Sequence, residues 1–136
     1  RVLMMKWRDP KDQTLFWEPP GGGAEPDETP LETARRELTE ETGLSPDVVT
    51  QTSMPVQRVF RYNGDWWGGP ETFFLGRLNS THTATELELT AVELDTLIEM
   101  RWLSWDELRS VPEPVEPIGF QQILVQLCPD GPWAHA

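Results

Sequence analysis

Short apolar blocks separated by turn residues make up most of the chain. Residues 2–7 form an apolar run that reads as a strand, stopped by Asp9-Pro10, and residues 15–17 form a second, running into Pro19-Pro20-Gly21-Gly22-Gly23. The period then changes. Leu31, Ala34 and Leu38 recur at helical spacing and make a narrow apolar stripe. Thr29 can cap this helix, Pro30 suits its first position, Glu32 completes a capping box, and Gly43 can end it in a left-handed conformation. Residues 48–54 and 56–62 read as strands split by Pro55, with Asn63-Gly64 as a turn. Residues 72–78 read as a strand around Phe73, Phe74 and Leu75, and residues 79–88 as a polar loop. A strand over 100–103, a short helix opened by Ser104 and Glu107, a Pro-rich link over 112–117 and a helix over 119–127 complete the chain. Strands outnumber helices without regular alternation, which predicts an α+β fold with a mixed sheet sandwiched between helices.

At about 100° per residue, Glu37, Glu40 and Glu41 fall on one face of the predicted helix, near the apolar stripe. Crowded carboxylates repel one another unless a cation sits among them. A solvated acidic face is the ordinary reading, but it leaves Arg36 and the Pro-Pro-Gly-Gly-Gly turn unexplained. An all-oxygen donor set without nearby His or Cys favours Mg²⁺ or Mn²⁺ over zinc.

The spacing around these residues is specific: Gly22, five residues, Glu28, seven residues, then Arg36-Glu37-Leu38-x-Glu40-Glu41-x-Gly43-Leu44. The stretch resembles the signature of the Nudix hydrolases at every specified position. Weaker echoes are the Val2-Leu3-Met4-Met5 strand, Phe16-Trp17 before the glycines, and Arg101-Trp102. One departure is Glu18-Pro19-Pro20, where the family carries a single Pro after an apolar residue. The resemblance implies a Nudix fold in which Glu37, Glu40 and Glu41 ligate divalent ions, with one of them activating water. It implies that the Gly21 carbonyl completes the metal site, that Arg36 holds the glutamates, and that Glu28 ties loop to helix. A further acidic ligand or base is expected from outside the box, among Glu86, Glu88, Glu93 and Glu99, with Glu99 favoured for its place beside Met100-Arg101-Trp102.

Length and composition fit one domain over residues 1–136, with 38% hydrophobic and 25% charged residues. The chain starts at Arg1 rather than Met, which leaves open whether native residues precede it. It has no long apolar span and no basic-apolar leader, and its one cysteine, Cys128, fits a reducing cytoplasm. The net charge of −12 repels phosphate-rich partners, so long nucleic acid is not expected, and without a long apolar span no membrane partner is expected either. A small phosphoanhydride held through metal ions is compatible with that charge. A homodimer is left open. His82 and His135 lie far apart, without ligand spacing.

Tyr62, Trp66 and Trp67 flank the glycines of Asn63-Gly64 and Gly68-Gly69 and are candidates for stacking on a nucleobase, with core packing the commoner fate of such residues. Tyr62 also falls where diadenosine polyphosphate hydrolases of the resembled family carry a tyrosine. The implied activity is metal-dependent pyrophosphohydrolysis of a nucleoside diphosphate linked to another group. ADP-ribose, dinucleoside polyphosphates, nucleoside triphosphates and nucleotide sugars are all open as substrates. Two rivals share the scaffold. One is a nucleotide-binding sensor without turnover, against which the complete glutamate set argues. The other is an isoprenoid diphosphate isomerase, which needs a catalytic Cys and has only Cys128 available, near the end of the chain.

Overall fold

The computed structural model describes residues 1–79 and 95–135. In chain order the elements are β1 (Val2–Arg8), β2 (Leu15–Glu18), α1 (Pro30–Thr42), β3 (Val49–Tyr62), β4 (Asp65–Gly76), β5 (Leu97–Leu103), α2 (Trp105–Ser110) and α3 (Phe120–Leu127). Short 3₁₀ turns occupy Pro46–Val48 and Pro132–His135. Strand β1 is apolar on both faces, burying Leu3, Met4, Met5 and Trp7, and it accordingly lies in the middle of a sheet ordered β2-β1-β5. Both of its neighbours run antiparallel to it. The free edge of β2 meets a parallel bridge from Trp17 to Val115, in which the Trp17 amide donates to Pro114 O at 2.9 Å and the Glu116 amide donates to Trp17 O at 2.8 Å. Parallel and antiparallel pairing thus coexist, and strands and helices do not alternate regularly, in line with the α+β expectation.

The core gathers Met4, Trp17, Leu103, Leu108, Phe120 and Leu124, drawn from β1, β2, β5 and both later helices. Side chains of this size contribute about 1.5–3 kcal/mol each when fully buried. Trp17 is 1% exposed, and its indole satisfies its one donor on Glu113 Oε1 at 2.8 Å. No helix among the described residues is long and apolar enough to cross a membrane.

Strands β3 and β4 form a separate antiparallel hairpin, and it corrects the sequence reading in two places. First, Pro55 does not split a strand: β3 is continuous over its 14 residues, with Pro55 opposite Thr72. A two-stranded ribbon leaves half of each strand's amides without a ladder partner, so a residue lacking an amide is tolerated there. Second, β4 begins at Asp65 rather than Thr72 and ends at Gly76 rather than 78, so Trp66 to Gly69 belong to a strand. The turn itself is Asn63-Gly64, with φ of 53° and 83°, the two left-handed residues a tight hairpin needs. Smaller shifts lengthen β5 back to Leu97 and start α3 at Phe120. The region read as a polar loop, beyond Asn79, lies outside the described residues.

Asp9 fastens the hairpin to the main sheet. Its side chain is buried at the end of β1, taking the Lys11 amide on Oδ1 at 2.8 Å and the Asn63 amide on Oδ2 at 3.0 Å. Arg35 fastens α1 in turn, donating from Nη2 to Val49 O at 3.0 Å. Between β2, the hairpin and α1 an open cleft remains, and the Gly-rich loop before α1 forms part of its rim.

Candidate active site

Helix α1 begins and ends as its sequence requires. Thr29 Oγ1 accepts the Glu32 amide at 3.2 Å, while the Glu32 carboxylate takes the Thr29 hydroxyl at 2.9 Å rather than the Thr29 amide. At the other end Gly43 adopts φ of 75° and its amide returns to Thr39 O at 2.9 Å.

One guanidinium organises the loop and the acidic face between these caps. Arg36 donates from Nε to Glu28 Oε2 at 2.7 Å and from Nη2 to Glu28 Oε1 at 3.0 Å. The same Nη2 reaches Gly23 O at 2.9 Å, and Nη1 reaches Glu37 Oε1 at 2.9 Å and Glu40 Oε2 at 3.0 Å. Glu28 also accepts from the Glu25 amide at 3.0 Å and the Thr33 hydroxyl at 2.7 Å. With Arg36 as the largest cause, these donors hold the Glu28 carboxyl down at about 2, and Glu28 in turn raises the guanidinium.

Glu41 is treated differently. It is 2% exposed and accepts the Gly21 amide on Oε1 at 2.9 Å, which fixes the loop over the helix. Gly22 follows, packed so closely on the Glu37 carboxylate that a Cβ there would collide with it. The sequence-predicted set Gly21, Glu28, Arg36, Glu37, Glu40 and Glu41 is therefore assembled in one place. Among the described residues, however, no three acidic, His or Cys side chains converge on a single metal position, because Glu37 and Glu40 turn toward Arg36. The donor chemistry nonetheless fits a hard divalent ion: oxygen only, on one helix face, with the Gly21 backbone already in contact with Glu41.

Outside the box the outcome is divided. Glu99 lies on β5 opposite Lys6, its carboxylate 3.6 Å from Arg101, and it does not line the cleft. Glu86, Glu88, Glu93 and His82 lie outside the described residues, as does the His135 side chain. Side chains alternate faces along a strand, so the register Phe60–Trp67 and Arg61–Trp66 puts the two tryptophans on opposite faces of the hairpin. Trp67 lines the cleft with Tyr62, whose ring meets the edge of Phe16 at 6.2 Å; Trp66 points away and is 71% exposed. Cys128 is buried at the end of α3, against Arg77 and Asp130.

Sequence reasoning missed a second charged group in the cleft. Arg58, 8% exposed, pairs with Glu71 at 2.9 Å, lies over the Phe60 ring at 4.6 Å and approaches Glu18 to 4.0 Å. Desolvation pushes Glu18 up to about 7, against the pull of Arg58 and with the help of Glu71 and Glu116. Burial raises Glu116 as well. The only sequence signal was Glu18 itself, standing where the resembled family has an apolar residue.

A family model described as the NUDIX domain matches residues 1–123. The chain belongs to the Nudix family, whose members generally use a divalent metal. Similar proteins include an RNA pyrophosphohydrolase of Erythrobacter litoralis, 35% identical over 102 residues that cover 68% of this chain and 61% of that protein. An RNA pyrophosphohydrolase of Rickettsia bellii is 30% identical over 116 residues, covering 79% and 70%. Nudix hydrolase 25 of Arabidopsis thaliana is 30% identical over 106 residues, covering 68% and 59%. The match thus spans between about three fifths and seven tenths of the length of these relatives.

Proposed function

We propose that residues 1–136 act as a single hydrolase domain, cleaving a phosphoanhydride in a nucleoside diphosphate linked to another group, with Mg²⁺ or Mn²⁺ as the ion. The observation that carries this reading is the joint arrangement of Arg36 on Glu28, Glu37 and Glu40 and of Gly21 on Glu41. A binding-only sensor has no use for so complete a set of ordered carboxylates. Glu37, Glu40, Glu41 and the Gly21 carbonyl would hold the ion. Once bound, such an ion neutralises anhydride oxygens and makes a coordinated water more acidic. Arg36 keeps two of the carboxylates oriented, and the Gly21 amide keeps the third. One carboxylate of the box accepts the proton of the attacking water. The single, buried Cys128 suits a reducing cytoplasm.

The names of two relatives favour a second reading, in which the group on the nucleotide is an RNA chain. The charge of −12 works against it, since each added phosphate brings repulsion. Product release from ADP-ribose, diadenosine tetraphosphate, nucleoside triphosphates, a nucleotide sugar and a 5′-triphosphorylated oligonucleotide, each with Mg²⁺ and with excess EDTA, tests both. Turnover with Mg²⁺ that stops in EDTA is expected. Binding without product on the whole panel would leave the sensor standing.

A further inference from the structure

We infer that the Glu18 carboxylate, braced by Arg58, is the group that selects the nucleobase, and that it selects a guanine-type base presenting two adjacent N–H donors. The inference borrows from the hydrolase reading only the location of the phosphates.

Phe16 and Glu18 alternate with Trp17 on β2, so they share the face turned away from the core, and both line the cleft. Across from them Arg58 rises from β3. Three carboxylates surround its single guanidinium, and they are not served equally. Glu71 takes a hydrogen bond at 2.9 Å, whereas Glu18 stands at 4.0 Å, beyond hydrogen-bond range, and Glu116 feels Arg58 only through space. Among the described residues no donor reaches the Glu18 carboxylate. Glu18 is half-buried, and solvent reaches 30% of its side chain, on the face that lines the cleft.

A half-buried acceptor with no protein donor in range, facing a cleft, is served best by a ligand that brings its own donors. The Watson–Crick edges of the bases differ in what they bring. Guanine offers N1–H beside its 2-amino group, two parallel donors matched to the two oxygens of a carboxylate. Adenine puts the bare N1 acceptor there, cytosine the N3 acceptor, and uracil a lone N–H between two carbonyl oxygens that a carboxylate repels. Two aromatic rings line the same cleft, Phe16 on β2 and Trp67 on β4, and can stack on a base. Glu18 is three residues ahead of Gly21, at most about 10 Å of chain, so a base on Glu18 leaves its phosphates at the box.

GMP, IMP and AMP contain no phosphoanhydride, so calorimetric titration reads base choice apart from hydrolysis. The unmodified protein should bind GMP about tenfold or more tighter than AMP, with IMP, which lacks the 2-amino group, between them. Glu18→Gln, which replaces one acceptor by a donor, should bring the GMP-to-AMP ratio close to one. Equal affinity for GMP and AMP, or an undiminished ratio in E18Q, overturns the inference. The ranking on unmodified protein decides alone if E18Q does not fold. Equal affinity of the unmodified protein for GMP and AMP with hydrolysis intact sinks only the role of Glu18; GMP selection without hydrolysis on any substrate sinks only the hydrolase reading.

Discussion

Arg36 and Glu28 form a two-pronged ion pair, Nε to Oε2 at 2.7 Å and Nη2 to Oε1 at 3.0 Å, that joins the Gly-rich loop to the helix carrying the glutamates. Planar pairing of this kind is stronger and more directional than an ordinary surface salt bridge. It also carries a pH signature. The folded value for Glu28, about 2, lies below its ordinary 4.5, so the stabilisation is complete above 4.5 and fades as pH falls from 4.5 toward 2. Glu28→Gln should therefore melt below the unmodified protein at pH 7, with the gap closing near pH 2. A gap of equal width at both pH values would show that Glu28 acts by packing and not by charge.

Glu18 should behave with the opposite sign. Its folded value, about 7, lies above the ordinary 4.5, so the folded state prefers the protonated form and loses stability as pH rises from 4.5 through 7. Glu18→Gln removes the charge at all pH values. Melting curves should place E18Q level with the unmodified protein at pH 4 and several degrees above it at pH 8, on the order of 1–3 kcal/mol. An E18Q protein less stable than its parent at pH 8 would mean that the ion pair with Arg58 outweighs desolvation.

Gly22 offers a test of how tightly the loop limits Glu37. The atoms nearest to a Cβ at Gly22 are the carboxylate end of Glu37, which can swing aside, and the Gly22 backbone does not need a positive φ. Gly22→Ala should therefore cost little stability, under about 1 kcal/mol, while moving Glu37 off its place beside Arg36. The expected result is at least a tenfold higher Mg²⁺ requirement for activity with an almost unchanged melting temperature. An unchanged Mg²⁺ requirement would show that Glu37 need not be where the structure holds it.

Much of this site was legible because its information is local. Thr29, Pro30 and Gly43 mark the helix through backbone chemistry that acts within a few residues, and the glutamate face follows from helical period alone. The hairpin was less legible because its facts are pairwise. Pro55 looks like a strand end until Thr72 is known to lie opposite, and Trp66 and Trp67 look equivalent until the register puts them on different faces. The Arg58 cluster was hidden for the same reason, since Glu18, Arg58, Glu71 and Glu116 share no spacing and meet only after β2, the hairpin and the Pro-rich link have packed.

Glu41 is buried and accepts the Gly21 amide, a bond that glutamine's side-chain carbonyl can also accept. Glu41→Gln should hence fold normally. A neutral amide is a poor ligand for a hard cation, so turnover should drop by several powers of ten. Product release and far-ultraviolet dichroism separate the two effects, and near-parental turnover would place the metal elsewhere.

The two tryptophans give the sharpest contrast, being adjacent in sequence and on opposite faces in space. Trp67 lines the cleft, half exposed, with its indole N–H on Tyr62 O at 3.2 Å, a contact that fixes the ring's orientation. Trp66 is 71% exposed on the far face. If Trp67 stacks on the base, Trp67→Ala should raise KM for a nucleotide substrate by the roughly 1–3 kcal/mol typical of stacking, about 5- to 150-fold. Hydrolysis of a small non-nucleoside diphosphate should be unaffected, because it offers no ring. Trp66→Ala should leave both substrates within about twofold of the parent, as expected for a surface residue outside the site. A packing role for Trp67 predicts a lower melting temperature and equal losses on both substrates. A larger KM effect from Trp66→Ala than from Trp67→Ala would place the base on the opposite face of the hairpin, away from Glu18 and Arg58.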